Sequence, residues 1–481
     1  MTASRSVVEG ALRDGRTVYG VTTGFGSLAT TSIRPDELER LQVNLVRSHA
    51  AGTGPALPTI IVRTMLVLRA NTLAQGASGV RPAVVGALCD LLAHDITPVV
   101  PSRGSVGASG DLAPLAHVAL TLIGEGLAEI DGEVRPASEA FTQAGLTALR
   151  LSAKEGLALI NGTQLMVACG IFGLDEGTNL VEHADLIGAM TVEALRGTTT
   201  PFEPHVHRLR PHRGQAQSAA DVLRWMSGSD IAAGHRDDDH RVQDAYSLRC
   251  IPQVHGAARD ALDYVSRVLA IEAGSVTDNP IVVPASDDHP QGAVLSAGNF
   301  HGQPIAIVLD VAKIALITVA SISEPRTARL VDAALSDGLP AFLSPAPGLR
   351  SGYMVLQYTA AALVNELQSL GHPASIHSLP TSANQEDHVS MGATAGLQLL
   401  DVIDRVGRVL AIEALCAAQA LEFRLPLRPG RGVEAAWSVL REVVPRLDED
   451  RPPATDIEVA VTLVRDRRMV AAAREACAGE R

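Results

Sequence analysis

Apolar positions along the second half of the chain recur at helical spacing. Ala258, Leu262, Val265 and Leu269 step by four, three and four, and Leu399, Val402, Val406, Val409 and Cys416 keep one face apolar around a single Glu413. Residues 304–322 and 354–370 are apolar on most sides, the pattern of helices enclosed within a bundle. The first 200 residues differ, because shorter apolar stretches alternate there with Gly- and Pro-rich turns. Helices are predicted over 38–46, 60–73, 84–92 and 112–123, with a small-residue turn over 74–81. Residues 18–26 read as a strand or extended loop, 284–292 as a surface loop, and 448–453 as a break between the last helices. The expected fold class is mainly α, with little strand outside the first third. An N-terminal domain over 1–200 would precede an elongated helical bundle domain over 201–481.

Composition narrows the class of function. With 46% hydrophobic and only 3% aromatic residues, alanine and branched aliphatics must fill a large core. A formal charge of −13 with no offsetting basic run excludes a nucleic-acid binder. The five cysteines are scattered without metal or redox spacing, which fits a reducing, cytoplasmic setting. No apolar signal segment is present at the N-terminus. The most apolar run, 305–322, carries Asp310 and Lys313 at its middle and therefore reads as a buried helix rather than a membrane span.

One stretch is chemically unusual: Gly104-Ser105-Val106-Gly107-Ala108-Ser109-Gly110-Asp111-Leu112-Ala113-Pro114. A serine sits between small residues just before a helix, and Asp111 is placed as an N-cap or first-turn acid. Glycine at 110 allows its own nitrogen to approach the Ala108 carbonyl carbon. Ring closure there, followed by loss of water from Ser109, would leave an exposed methylidene electrophile. An anion-binding turn or an ordinary serine nucleophile are the competing readings. No Lys-Ser/Thr pair completes a phosphate loop, and Asp111 stands where a nucleophile elbow needs glycine.

Several polar groups interrupt otherwise apolar segments: Ser48-His49 at a helix end, Asn161 before Gly162, Asn299-Phe300-His301 before a buried helix, and 384–388 around Glu386. Each suits a capped helix end or a satisfied loop equally well. A helix across 243–249 would turn Gln243, Tyr246 and Arg249 towards one face. His205, His207, His212, His235 and His240, with the acidic run 237–239, match no metal spacing and read as a surface or interface loop. Residues 24–29 mimic a dinucleotide fingerprint without the second strand and acid it requires.

Taken together, these blocks resemble the ammonia-lyases and aminomutases that carry a methylidene-imidazolone group. The blocks are 19–26, 104–114, 154–163, 243–249, 277–280 and 298–301, in that order, and the resemblance runs from Tyr19 to about Asp466. It implies an ammonia-lyase-like fold in which Ala108, Ser109 and Gly110 form the prosthetic group autocatalytically, with no metal and no nucleotide. By the same resemblance Tyr19 is the base on a mobile loop, and Tyr246 and Glu386 complete the catalytic set. His49, Asn161, Gln243, Arg249 and Phe300 bind substrate, while Asp111 and Asn299 support the prosthetic group. Ser48-His49 and Glu386 follow the pattern of histidine-specific members, which implies elimination of ammonia from L-histidine to trans-urocanate, the first step of histidine breakdown. A carboxylate suits an imidazole N–H and would be desolvated at a cost beside a phenyl ring. The resemblance also implies a homotetramer with active sites shared between subunits. Eighteen residues precede Tyr19, fewer than members usually have, so looser anchoring of its loop is expected.

Rival readings within the family are a histidine or tyrosine 2,3-aminomutase, and a tyrosine or phenylalanine ammonia-lyase. A catalytically silent binding module is disfavoured because each motif position checked holds a competent residue.

Overall fold

The computed structural model describes residues 1–24, 26, 32–234 and 242–479. Two compact units emerge, each built from more than one run of chain. The first comprises Met1–Phe172, Ser266–Asp310 and Pro373–Gln398; the second comprises Gly173–Val265, Val311–His372 and Leu399–Arg481. A single division at residue 200 does not describe this arrangement. Residues 266–310 and 373–398 return to pack with the N-terminal residues, and a boundary drawn along the sequence cannot register such returns.

In the first unit, helices Thr2–Arg13, Leu38–His49, Thr59–Ala74, Pro82–Ala93 and Leu112–Leu122 account for most of the N-terminal run. The helix Leu38–His49 buries Leu38, Gln42, Leu45 and Val46, an i, i+4, i+7, i+8 stripe. Short antiparallel strands sit between the helices: Thr53–Ala56 pairs with Pro101–Arg103, and Leu127–Ile130 lies between Thr97–Pro98 and Glu133–Pro136. Val7, Val8, Val21 and Val282 form a common apolar cluster, and Val282 N–H donates to the Ala77 carbonyl at 2.7 Å. The later segments are therefore structural parts of this unit. The segment 281–295 is a hairpin of Ile281–Val283 with Ala293–Leu295, so 284–292 is its connection. Residues 18–24 are turns instead of a strand, tied by the Ile33 N–H to the Thr22 carbonyl at 3.0 Å.

The second unit is helical among its described residues. Its interior holds charge. Asp185 accepts from His255 Nδ1 at 2.7 Å and from Arg259, and all four oxygen-to-donor contacts of Glu413 run to Thr191, Ser323 and Arg326 within 2.5–2.8 Å. Buried carboxylates persist only when so paired and hydrogen-bonded.

Four helices longer than 20 residues pass through the unit boundaries in sequence: Gln164–Ala194, Ile251–Ala273, Gln303–Val331 and Gly392–Glu422. The stepping of 258–269 and 399–416 marked two of them. The helix Gln164–Ala194 was not expected, because its apolar residues surround the axis and leave no stripe to read. Gln303–Val331 is the one described helix long and apolar enough to cross a membrane. Its two central charges are both engaged: Asp310 accepts the Ser375 N–H at 2.8 Å, and Lys313 donates to the His372 carbonyl at 3.3 Å.

Candidate active site

The Ala108-Ser109-Gly110 turn is pinned from both sides. Ser109 carbonyl accepts the Gly162 N–H at 3.3 Å, and the Gly162 carbonyl accepts the Asp111 N–H at 2.7 Å. Between these two bonds the Gly110 amide donates to no described residue. Ser109 has φ 52° and Gly110 φ 79°, so two consecutive residues occupy the left-handed region. For serine that conformation is strained. For residue 110 a side chain is excluded outright, since a Cβ would lie 2.1 Å from the Gly162 oxygen.

Asp111 sits at the N-cap of Leu112–Leu122 but makes no side-chain bond to that helix. Its Oδ2 instead accepts the Leu165 and Met166 amides, at 2.9 and 3.1 Å, in the first turn of Gln164–Ala194. Its Oδ1 accepts the Ser105 hydroxyl at 3.3 Å. Burial pushes the carboxyl up to about 7, against the lowering effect of these bonds. The sequence position pointed to the right kind of role and the wrong helix. One side chain thereby locks the Ala108-Ser109-Gly110 turn to a second helix start.

A cavity of about 560 Å³ opens on Ser109 and is lined by Tyr19, Asn44, Ser48, His49, Asn161 and Glu386 among others. A second compartment of about 430 Å³ lies beside Ala108 and includes Phe300, His301 and His388. Both share Tyr19, Gly26, Ser109, Asn279 and Glu386. Tyr19 Oη accepts the Gly26 N–H at 3.3 Å, which turns the ring over the shared wall. The Ser109 hydroxyl faces Glu386 Oε1 at 3.5 Å, while Thr381 holds Oε2 at 2.7 Å. His49 ends its helix with Nδ1 2.9 Å from the Leu45 carbonyl, leaving Nε2 as the nitrogen free of that bond. Asn161 is buried and binds through its Nδ2, to the Asn279 carbonyl at 2.9 Å. Asn299 lines neither compartment and donates to the Val276 carbonyl at 3.3 Å.

Gln243, Tyr246 and Arg249 belong to the second unit. Only Tyr246–Arg249 is helical, because Ala245 is extended at the N-cap, so Gln243 lies outside the expected helix face. Gln243 and Arg249 line a separate cavity of about 490 Å³, and Tyr246 is 72% exposed with the Arg249 guanidinium 4.6 Å from its ring centre. His207 is engaged on both nitrogens, by the Pro201 carbonyl and the Gln215 amide. His235, His240 and the run 237–239 lie outside the described residues, as does most of the 24–29 glycine segment.

The family model for aromatic amino acid lyases matches residues 1–442. The chain belongs to that family. It is a carbon–nitrogen lyase. The histidine ammonia-lyase of Trypanosoma cruzi superimposes with a TM-score of 0.91 at 40% identity, covering 100% of this chain and 89% of that one. The tyrosine aminomutase of Streptomyces globisporus gives 0.92 at 38% identity, covering 98% and 92%. A curated histidine ammonia-lyase of Gloeobacter violaceus is 53% identical over 474 residues, covering 98% of this chain and 91% of that protein.

Within this lyase, the structure adds cavity residues that chemistry-led reading passed over. Asn279 touches both compartments, and its Oδ1 accepts the Ala297 N–H at 2.7 Å. It lay inside the block 277–280, so a signal for it existed. Asn44 lies one turn before Ser48 on the same helix, and the i, i+4 spacing that places both on the cavity could have found it.

Proposed function

We propose that the protein eliminates ammonia from L-histidine to give trans-urocanate, using a methylidene-imidazolone formed from Ala108, Ser109 and Gly110. Bonding of the Gly110 nitrogen to the Ala108 carbonyl carbon releases one water, and loss of the Ser109 hydroxyl with its α-hydrogen releases a second. The residues present fit such a ring: the turn is already left-handed at 109 and 110, and the Gly110 amide is unengaged among described residues. The group supplies an electrophilic carbon, which no ordinary side chain offers, to help the amino group depart.

The observation that carries the histidine reading is a carboxylate and an imidazole, Glu386 and His49, lining one cavity with Ser109. Glu386 accepts the substrate imidazole N–H, and His49 orients the ring from the C-terminal end of Leu38–His49. Tyr19 removes the β-proton at its Oη, and Asn161 holds the amino group. Phe300 packs beside the reacting carbons, and Asp111 and Asn299 steady the surrounding backbone. Among the described residues, neither compartment is lined by an arginine or lysine for the substrate carboxylate. Arg249, with Gln243 and Tyr246, meets that need from another copy of the chain, where a bidentate guanidinium suits a carboxylate. This reading requires an oligomer with shared sites, and the family resemblance makes it a homotetramer. No metal takes part, and the five free cysteines suit a cytoplasmic compartment.

Intact-protein mass tests the chemistry: it should fall short of the sequence mass by two waters. L-Histidine should yield urocanate, and Ser109→Ala should lose both the deficit and the turnover. A full sequence mass sinks the electrophile. β-Histidine in place of urocanate makes the enzyme an aminomutase, and preference for tyrosine or phenylalanine removes the role given to Glu386.

A further inference from the structure

Behind the cavity wall, one buried cluster in the first unit has no part in the reading above. Lys154 Nζ lies 2.7 Å from Asp278 Oδ2, and both side chains are fully buried. Withdrawing two charges from water costs several kcal/mol per ion, and exchanging such a pair for apolar groups is often neutral or stabilising. Fold stability is therefore a weak reason for the pair, and its geometry offers a stronger one. Asp278 Oδ1 accepts the Asn279 N–H at 2.7 Å and faces Asn161 Nδ2 at 3.4 Å. The same Nδ2 donates to the Asn279 carbonyl at 2.9 Å. Both neighbours are acceptors, so only the amide nitrogen of Asn161 can face them. Its Oδ1 is thereby turned away, is buried, and has no hydrogen-bond partner, although Asn161 lines the cavity beside Ser109. The main chain is fixed as well, because the Asn161 carbonyl accepts Arg69 Nη1 at 2.7 Å and that guanidinium also binds Gln164 Oε1 at 3.0 Å.

The geometry points to Asp278, held by Lys154, as the positioning residue that keeps Asn161 Oδ1 aimed at the substrate's amino group. This rests on the ammonia-lyase reading and deepens it. A carboxylate behind the amide N–H also polarises the amide, leaving more negative charge on the oxygen that receives the amine. An unpartnered buried acceptor carries a desolvation penalty that is relieved when an N–H donor arrives. Asp278 itself touches no substrate and acts through Asn161.

A double-mutant cycle tests this in the full-length enzyme with L-histidine as substrate. Wild type, Asp278→Asn, Asn161→Ala and the combination are each checked for the two-water deficit, then assayed for kcat and KM. Asp278→Asn should lower kcat/KM on the order of 100-fold through misplaced Asn161, mostly in kcat. In the Asn161→Ala background the same substitution should cost less than about three-fold. Equal losses in the two backgrounds overturn the proposal, as does an unchanged kcat/KM in Asp278→Asn. Because Asp278→Asn leaves Lys154 unpaired, the cycle is run in parallel with the charge-free pair Lys154→Met and Asp278→Asn. Failure of both versions to fold, or folding only without the mass deficit, assigns the pair to the fold or to ring formation and also overturns it. Wild-type enzyme lacking the deficit or leaving L-histidine unconverted sinks the underlying reading instead.

Discussion

Gly110 carries the tightest steric condition in the Ala108-Ser109-Gly110 turn. Its φ of 79° and the 2.1 Å approach of a hypothetical Cβ to the Gly162 oxygen mean that any side chain displaces the turn from Asn161-Gly162. Gly110→Ala should therefore abolish the two-water mass deficit and lower stability by roughly 1–3 kcal/mol. Mass spectrometry and a urea unfolding midpoint check this, and an alanine variant with the full deficit would refute it. Ser109, Glu386 and His49 stood out in the sequence as local features, but their roles in a site came only from the family resemblance, since each segment alone suits a turn, a loop or a capped helix end. The roles of Lys154, Asp278 and Arg69 went unread, although Lys154 and Asp278 lie inside the blocks 154–163 and 277–280, because those roles rest on partners 124 and 92 residues away, as in Lys154 to Asp278 and Arg69 to Asn161. Asp111 stands between these cases. Its capping chemistry was apparent, but the helix it caps starts 53 residues later, at Gln164.

Among the helices, one buried acid links element geometry to pH. Glu193, near the end of Gln164–Ala194, accepts the Gly430 N–H with both oxygens at 2.9 and 3.1 Å, at the N-cap of Arg431–Arg441. Burial raises its carboxyl from 4.5 to about 8. Since the folded state holds a proton that the unfolded chain releases, this stabilisation is complete below about pH 4.5 and lost as pH rises through about 8. Glu193→Gln keeps an acceptor without the ionisation. Its stability should fall less than that of wild type between about pH 5 and pH 8, by on the order of 2–4 kcal/mol. Melting temperature against pH reads the difference, and parallel curves would contradict it. Asp111 titrates in the same direction and is common to both proteins, so the comparison isolates Glu193. Helices with one apolar stripe, such as Leu38–His49, were readable from spacing. Gln164–Ala194 was not, since enclosure on all sides erases the stripe, and the pairings of Thr53–Ala56 with Pro101–Arg103 and of Thr97–Pro98 with Leu127–Ile130 join segments distant in sequence, which periodicity does not report.

For the whole molecule, the proposed sharing of sites makes a direct claim about mixtures. Ser109→Ala and Arg249→Met should each be inactive alone, yet co-assembled they should recover a fraction of wild-type turnover, since some sites would combine an intact Ser109 with an intact Arg249 from another copy. Assay of the co-expressed, purified mixture checks this; no recovery, or a stable active monomer on sedimentation, removes the shared site. The apolar positions Ile314, Val355 and Tyr358, all more than 40% exposed in the second unit, are available for burial in such an assembly. The sequence suggested two consecutive domains, and the chain instead interleaves them. That interleaving sets a timetable during synthesis. Gly162, which clamps the turn, emerges early, but Glu386 and Met391, whose N–H binds the Val106 carbonyl at 2.9 Å, are among the last residues added to the first unit. At about 5–20 residues per second, Ser109 waits on the order of tens of seconds outside its finished surroundings. If ring closure needs that compressed turn, each nascent chain carries an ordinary serine until residues 386–391 have been added, and the electrophile would exist only where the first unit has folded.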